Sequence, residues 1–383
     1  MICIKNGLLH TMEEETPWVG DILTDNGKII KIQENIEAGE ADQVIDASGL
    51  HVYPGFVEAH CHIGLDGYAV GYEGHDYCEL NDYSTPQLRA IDGINPMDEC
   101  FLHAANAGVT CVGTGPGSAD ALGGTFVAVK TWGKRVESMI VKDPVAMKCA
   151  FGENPKNCYQ TKGITSRMTT AAVIRQALFK AKQYKEKLEA AGGDPLKKPE
   201  FDLKSQSLIP VLERTIPLKA HAHQANDIFT ALRIAREFHV DITLEHVTEG
   251  HLIADELIKE HVPMAVGPTL THATKFELQN KSFTTPGILS KAGGQVSIIT
   301  DAPVIPIEYL PLCAGLAAKA GMEPYEALKA ITINPAKHLG IADRVGSLAQ
   351  GKDADIVITD GNPLSVETQV KYVFINGDLI HRA

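Results

Sequence analysis

Between residues 55 and 300 the chain alternates short apolar runs with stretches of helical periodicity, and nothing else in the sequence restricts the fold as much. The apolar runs are GFVEAH, GVTCVGTG, TFVAVK, VAMKCAFG, IPLKAH, DITLEH, PMAVGPT and QVSIIT. Strands alternating with helices call for a parallel sheet covered by helices, because a parallel pair needs a long crossover. About eight such strands is the number that closes a (β/α)8 TIM-like barrel. The helical patterns between them are PMDECFLHAANA, TAAVIRQALFKAKQYKEKLEA, ANDIFTALRIAREF, EGHLIADELIKEH and YLPLCAGLAAKAG. The first begins after a Pro and ends at a Gly, both sensible helix limits. The mixed charges of KAKQYKEKLEA read as a solvated helix face.

Both ends of the chain have a different texture. ICIKNGLLH and DILTDNGKIIKIQ are strand patterns marked by Asn-Gly turn signals, and GSLAQGKDADIVITDG and TQVKYVFINGDLIHRA resemble them. Two β-rich ends around a long α/β middle predict a small β-sandwich domain built from residues 1–54 and 345–383, beside a barrel over residues 55–344.

The apolar share of 44% lets a chain of 383 residues bury a sizeable core. A formal net charge of -13 argues against nucleic acid or an anionic membrane as the main partner. No apolar run reaches the ~18 residues of a membrane span, and acids interrupt the start where a signal peptide would continue. The eight scattered cysteines form no CxxC pair and read as free thiols in a reducing, cytoplasmic setting. The expected partner is a small-molecule substrate, with self-association left open.

The polar residues that punctuate the strand ends carry the chemistry. Barrel active sites gather at the C-terminal ends of strands. GFVEAHCH ends in His60 and His62, which point to one side of an extended strand. IPLKAHAH ends in His221 and His223, DITLEH in His246, and QVSIITDAP in Asp301. Each ending alone is a weak signal. Together they offer several metal ligands or proton carriers at one barrel mouth. His51, His103, His251, His261 and His338 fall away from the expected strand ends and read as surface or core residues.

This order of ligands resembles the amidohydrolase superfamily. The opening IDASGLHVYPGFVEAHCHIG and the closing ITINPAKHLGI and SLAQGKDADIVITDGNP are similar to its characteristic ends. Within the superfamily the likeness is to imidazolonepropionase-related and dipeptidase-like members, and to a subgroup with a GENPK segment. The resemblance implies a divalent cofactor, one ion or two, zinc with iron or manganese as alternatives. It implies His60, His62, His221, His246 and Asp301 as ligands, with Asp301 and His246 catalytic. A divalent metal lowers the pKa of bound water from about 15.7 toward 7, and a neighbouring carboxylate can take up and return the proton.

Two-metal members use a bridging carboxylate from strand four. VAMKCAFGENPK offers Glu153 at the strand end and Lys148 deeper, the latter as a carboxylated lysine. Glu153 is the preferred bridge, with Lys148 the alternative; Lys148 paired to a barrel acid such as Glu58 is the plainer reading. His223 is expected at the substrate or behind the ligands. Lys156, Tyr159 and Arg167 are candidates for meeting a substrate carboxylate. GTGPGSADALGG could present backbone N–H groups, and the long loop after the first strand carries Tyr68, Tyr72, His75 and Tyr77 as candidate lid residues.

The leading function is therefore hydrolysis of a C–N bond in an amide, cyclic amide or peptide-like substrate. A heterocycle deaminase is the alternative, weakened because Gln224 stands where those enzymes carry a proton-shuttling glutamate. A non-catalytic relative serving as an assembly module is the remote third reading.

Overall fold

The computed structural model describes residues 1–37, 39, 41–67 and 71–383. From the N-terminal end come β1 (Ile2–Leu9), β2 (Trp18–Asp25), β3 (Lys28–Gln33), β4 (Gln43–Asp46) and β5 (His51–Pro54). The middle supplies β6 (Phe56–Cys61), β7 (Val109–Thr114), β8 (Leu122–Lys130), β9 (Ile140–Ala150), β10 (Leu218–Ala222), β11 (Ile242–His246), β12 (Met264–Val266) and β13 (Val296–Ile298). The C-terminal end adds β14 (Ile356–Thr359), β15 (Val370–Ile375) and β16 (Asp378–Arg382).

Strands from both ends form one continuous sheet, ordered β16-β15-β14-β5-β1-β2-β3 with β4 on β1. The ends meet where β14 runs antiparallel to β5, with Ile358 opposite Val52. Two Asn-Gly pairs close hairpins in this sheet. Asn26 and Gly27 have φ of 46° and 77°, and Asn376 and Gly377 have 49° and 79°, the left-handed pair that a two-residue turn requires. The earlier Asn6-Gly7 signal makes no turn. It lies inside β1, where the register against β2 shifts, so the extra residue is absorbed as a bulge.

The eight middle strands form a second sheet in chain order, β6 to β13. Mixed α/β in character, it is nearly closed and barrel-like. Its edges meet where Glu58 of β6 accepts the Thr300 N–H at 2.8 Å and the Thr300 hydroxyl at 2.7 Å, and where the His62 N–H donates to Ala302 at 2.8 Å. Each apolar run singled out in the sequence contributes one of these strands. The parallel expectation fails at one of them: β8 runs antiparallel to both β7 and β9. Its connections are only residues 115–121 and 131–139, and a parallel return needs a crossover of about a dozen residues or more.

Helices cover the sheet. The helix Arg167–Ala191 starts where the Ser166 side chain accepts the Thr169 N–H and ends at Gly192 in the left-handed region. Its Ile174 and Leu178 join Met147, Leu218 and Leu244 in one buried apolar cluster, each such side chain contributing roughly 1.5–3 kcal/mol when fully buried. The pattern EGHLIADELIKEH yields only short helical turns over 250–260. The two sheets are tied together by a buried ion cluster. Lys130 of β8 lies 2.7 Å from Asp355 and 3.0 Å from Asp353, and Asp353 also meets Lys28 at 2.6 Å and Arg344 at 2.8 Å.

Candidate metal centre

The strand ends do converge. His60 sits near the end of β6 and His62 just beyond it, His221 in β10 and His223 after it, His246 at the end of β11, and Asp301 three residues past β13. His246 and Asp301 turn sharply out of their strands, at φ of 74° and 54°. Non-glycine residues held there cost of order 1–3 kcal/mol each, a strain that clusters at functional sites.

Two groups result. Ligand atoms of His60, His62 and Asp301 lie within 4.8 Å of one another, as do those of His221, His223 and His246. Asp301 Oδ1 is 3.3 Å from His62 Nε2 and 3.7 Å from His60 Nε2. Lys148 Nζ lies 3.1 Å from His60 Nε2. The groups adjoin, with the His60 and His246 rings 5.1 Å apart.

Each imidazole is held by its Nδ1. His62 Nδ1 lies 2.8 Å from the Gly115 carbonyl and His246 Nδ1 2.8 Å from the Gly267 carbonyl. A carbonyl only accepts, so both rings carry the proton on Nδ1 and present a lone pair at Nε2. His60 Nδ1 is 3.1 Å from Glu245, His221 Nδ1 is 2.8 Å from the Ser118 hydroxyl, and His223 Nδ1 is 2.7 Å from that of Thr248. Metal-binding histidines are oriented in this way. Burial pushes the imidazoles of His60, His221 and His223 well below their ordinary value and His246 down to about 4, so they are neutral near pH 7. Burial opposes ionisation of Asp301, but His246, His62 and His60 beside it hold its carboxyl well below the usual range.

The donor set fits a divalent cation. His221 Nε2, His246 Nε2 and Asp301 Oδ1 are buried without a hydrogen-bond partner. Leaving such atoms unpaired is unfavourable by about 1–3 kcal/mol apiece, more for a charge, and a cation shared among them removes that penalty.

Beneath this lies a buried charged layer that the sequence reading did not identify. Glu245 Oε1 is 2.8 Å from His338 Nε2, and Glu245 Oε2 is 2.9 Å from Lys219 Nζ and 3.1 Å from His60. Burial works against charge on Glu245, yet His338 and Lys219 hold its carboxyl well below the usual range. His338, expected in an ordinary role, is thus part of the support for His60. Lys219 could have been found, being two residues from His221 and on the same strand face.

The other candidates fall as follows. Glu153 opens the helix Glu153–Tyr159, and its carboxylate meets the Asn157 amide at 3.3 Å and the Glu277 N–H at 3.4 Å, outside both groups. Lys148 does not pair with Glu58, whose carboxylate is taken by Thr300 and the His60 N–H. Tyr159 donates its hydroxyl toward Asp120 at 2.7 Å. Arg167 pairs with Asp227 at 3.0 Å and holds the Gln224 side chain at 2.5 Å. Neither of them, nor Lys156, lines the cavity over the histidines. That cavity, about 1210 Å³, is walled by Tyr72, His75 and Tyr77 of the long loop, by His62, His221, His223 and Asp301, and by Lys275. Tyr68 lies outside the described residues. The glycine-rich loop contributes Ser118, which braces His221. A separate cavity of about 650 Å³ opens at the other end of the strands, beside Pro217, Thr243 and His338, away from both groups.

A barrel-like sheet with a histidine–aspartate cluster at one mouth has its polar groups where barrel enzymes place their active sites, at the strand ends. The comparisons are specific. Residues 211–380 match the amidohydrolase family. The chain is 41% identical to an amidohydrolase from Thermotoga maritima of known structure, over 100% of both chains, with a TM-score of 0.96. It is 27% identical to the amidohydrolase tasK of Hapsidospora irregularis over 94% of this chain but only 40% of that protein's length. It is 26% identical to the imidazolonepropionase of Thermoplasma volcanium, over 94% of this chain and 90% of that one. The chain belongs to the amidohydrolase family, whose members are hydrolytic enzymes acting on C–N bonds. Among the described residues no helix is long and apolar enough to cross a membrane.

Proposed function

We propose that this chain is a metal-dependent hydrolase that cleaves a C–N bond in a small amide, cyclic amide or peptide-like substrate. The observation that carries the reading is the set of imidazoles each anchored at Nδ1, with Nε2 turned toward the cluster. The frame is a TIM-like barrel over residues 55–344, with β8 reversed, beside a terminal β-domain from 1–54 and 345–383. In this frame His60, His62 and Asp301 would hold one ion, and His221 and His246 a second. Zinc suits nitrogen-rich sites of this kind.

When bound, a divalent ion supplies Lewis acidity, making water acidic near neutral pH and polarising the carbonyl to be attacked. Asp301 would accept the proton from the attacking water and return it to the leaving nitrogen. His246 would contact the reacting carbonyl side of the cluster. Lys148 would supply the bridging carboxylate in place of Glu153. Burial lowers its ammonium to about 8, so a useful fraction is free amine. That amine can add CO2 and release one proton, giving a carbamate whose charge suits a position between two cations.

The test is a substrate screen on protein of measured metal content, with dipeptides, N-acyl amino acids and cyclic amides. Turnover of at least one class is expected, lost on chelation and regained on reloading. Activity that survives complete metal removal would reject the reading.

A further inference from the structure

The sequence motif GENPK and the buried carboxylate of Glu277 have no part in the site described so far, yet they build on each other beside the second histidine group. We infer that Glu277 and His223 are direct ligands of the second divalent ion, completing a set with His221 and His246. This rests on the metal-dependent reading above and enlarges its ligand set.

Glu277 is buried, and its Oε1 lies 3.7 Å from His221 Nε2 and 3.6 Å from His223 Nε2. These separations are too long for hydrogen bonds. They suit two ligands of one ion. Ligand atoms that share one ion at bonds of about 2.0–2.2 Å lie about 2.8–3.8 Å apart in four- or five-coordinate sites. The third imidazole, His246, presents a lone pair to the same space, since its Nδ1 proton is spent on the Gly267 carbonyl. A carboxylate oxygen can take two partners, and with Lys275 on one side of Oε1 the side facing the ring nitrogens is left for a cation. Lys275 Nζ, 2.7 Å from Oε1, flanks the carboxylate and is itself held by Asn154 at 2.8 Å.

The seat of Glu277 is made by the start of the GENPK segment. The Glu153 N–H donates to Glu277 Oε2 at 2.9 Å, which turns Oε1 toward the histidines, with Lys275 beside it. The Glu153 carboxylate in turn accepts the Glu277 N–H. Gly152 is what allows this approach. Its φ is 80°, and a Cβ there would lie 2.5 Å from Glu277 Oε2 and 3.0 Å from Asp227 Oδ2. Glycine tolerates both the dihedral and the contact. Glu153 therefore serves the metal through Glu277, by positioning it.

The experiment measures ions per chain and the affinity of each ion, by elemental analysis and chelator competition, in wild type, Glu277→Gln, His223→Asn and Gly152→Ala. Cobalt(II) absorption reports the coordination directly. Replacing a residue that only orients a ligand weakens metal binding roughly 10–100-fold. Glu277→Gln and His223→Asn should each weaken one ion by more than the upper end of that range, leave the other within a few-fold, and change the cobalt spectrum. Gly152→Ala should act in the same direction. Two ions at wild-type affinity with an unaltered cobalt spectrum in Glu277→Gln overturn the inference while the metal-dependent reading stands. Equal weakening of both ions also overturns it, because a purely structural role would do that. A wild type that takes up no divalent ion overturns both.

Discussion

Asp301 is the residue on which the proposed chemistry converges. It faces both His60 and His62, and its neighbours keep it ionised in spite of burial. Asp301→Asn keeps the shape and one oxygen but removes the basicity. Turnover should fall by about 10²–10⁴-fold, the usual worth of a general base, with a much smaller change in metal content. Near-normal rates in a metal-replete variant would move the proton acceptor elsewhere. Lys148 and Glu153 form a second pair to compare. With Lys148 3.1 Å from His60 and Glu153 turned to Asn157, Lys148→Ala should lose bound metal, and bicarbonate should speed reconstitution of the wild type. Glu153→Ala keeps its backbone N–H for Glu277 and should retain both ions. A metal loss confined to Glu153→Ala would make Glu153 the bridge. Strand-end histidines were visible in the sequence because period two and strand length locate them. Glu277 was not, since it sits in a single 3-10 turn, Phe276–Leu278, too short for any period to tell which residue turns inward.

At the scale of elements, β8 is the join between the two sheets. Its last residue, Lys130, is almost fully buried and meets Asp353 and Asp355 of the GKDAD segment, with Lys28 and Arg344 closing on Asp353. The motif recognised as typical of the family thus has a mechanical role, fastening the terminal sheet to the barrel. Removing one partner of a buried ion pair strands the other, at a cost of about 3–5 kcal/mol. Asp353→Asn should lower the urea midpoint accordingly, with proteolysis appearing first near the terminal strands. A variant as stable as wild type would mean that the cations find water instead. The reversed direction of β8 escaped the sequence reading, although its short flanking loops were in view. Strand pattern reports burial and length, and an apolar run reads the same in either direction.

For the whole molecule, the buried imidazoles govern the response to acid. His60, His221, His223 and His246 have depressed folded values, about 4 for His246, against about 6.5 in an unfolded chain. The unfolded state therefore binds more protons between these limits, and stability falls as pH drops through them. Three buried carboxyls oppose this, Glu58, Asp120 and Asp227, all raised by burial. Burial lifts Glu58 up to about 8 and Asp120 up to about 7, so each keeps a proton that the unfolded chain has released. The four imidazoles outnumber them. The urea midpoint of metal-free protein should be higher at pH 7 than at pH 5, and bound metal should steepen the difference, since protons compete for the same nitrogens. A flat profile between these values would show that the rings are not held neutral.

Strand and helix period, the paired turn signals and the positions of His60, His62, His221, His246 and Asp301 were determined by the sequence itself. Each is a local property, set by neighbours within a few residues along the chain. The tertiary structure decided the direction of β8, the place of Lys148 inside the cluster and that of Glu153 outside it. It also supplied Glu245 and His338 beneath His60 and seated Glu277 against His221 and His223. Apart from β8, whose short connections decide its direction, most of these depend on contacts between segments far apart in the chain, 88 residues for Lys148 with His60 and 185 for Glu245 with His60. Only closure of the barrel-like sheet brings such groups within a few ångströms, and there burial forces each polar atom to find a partner.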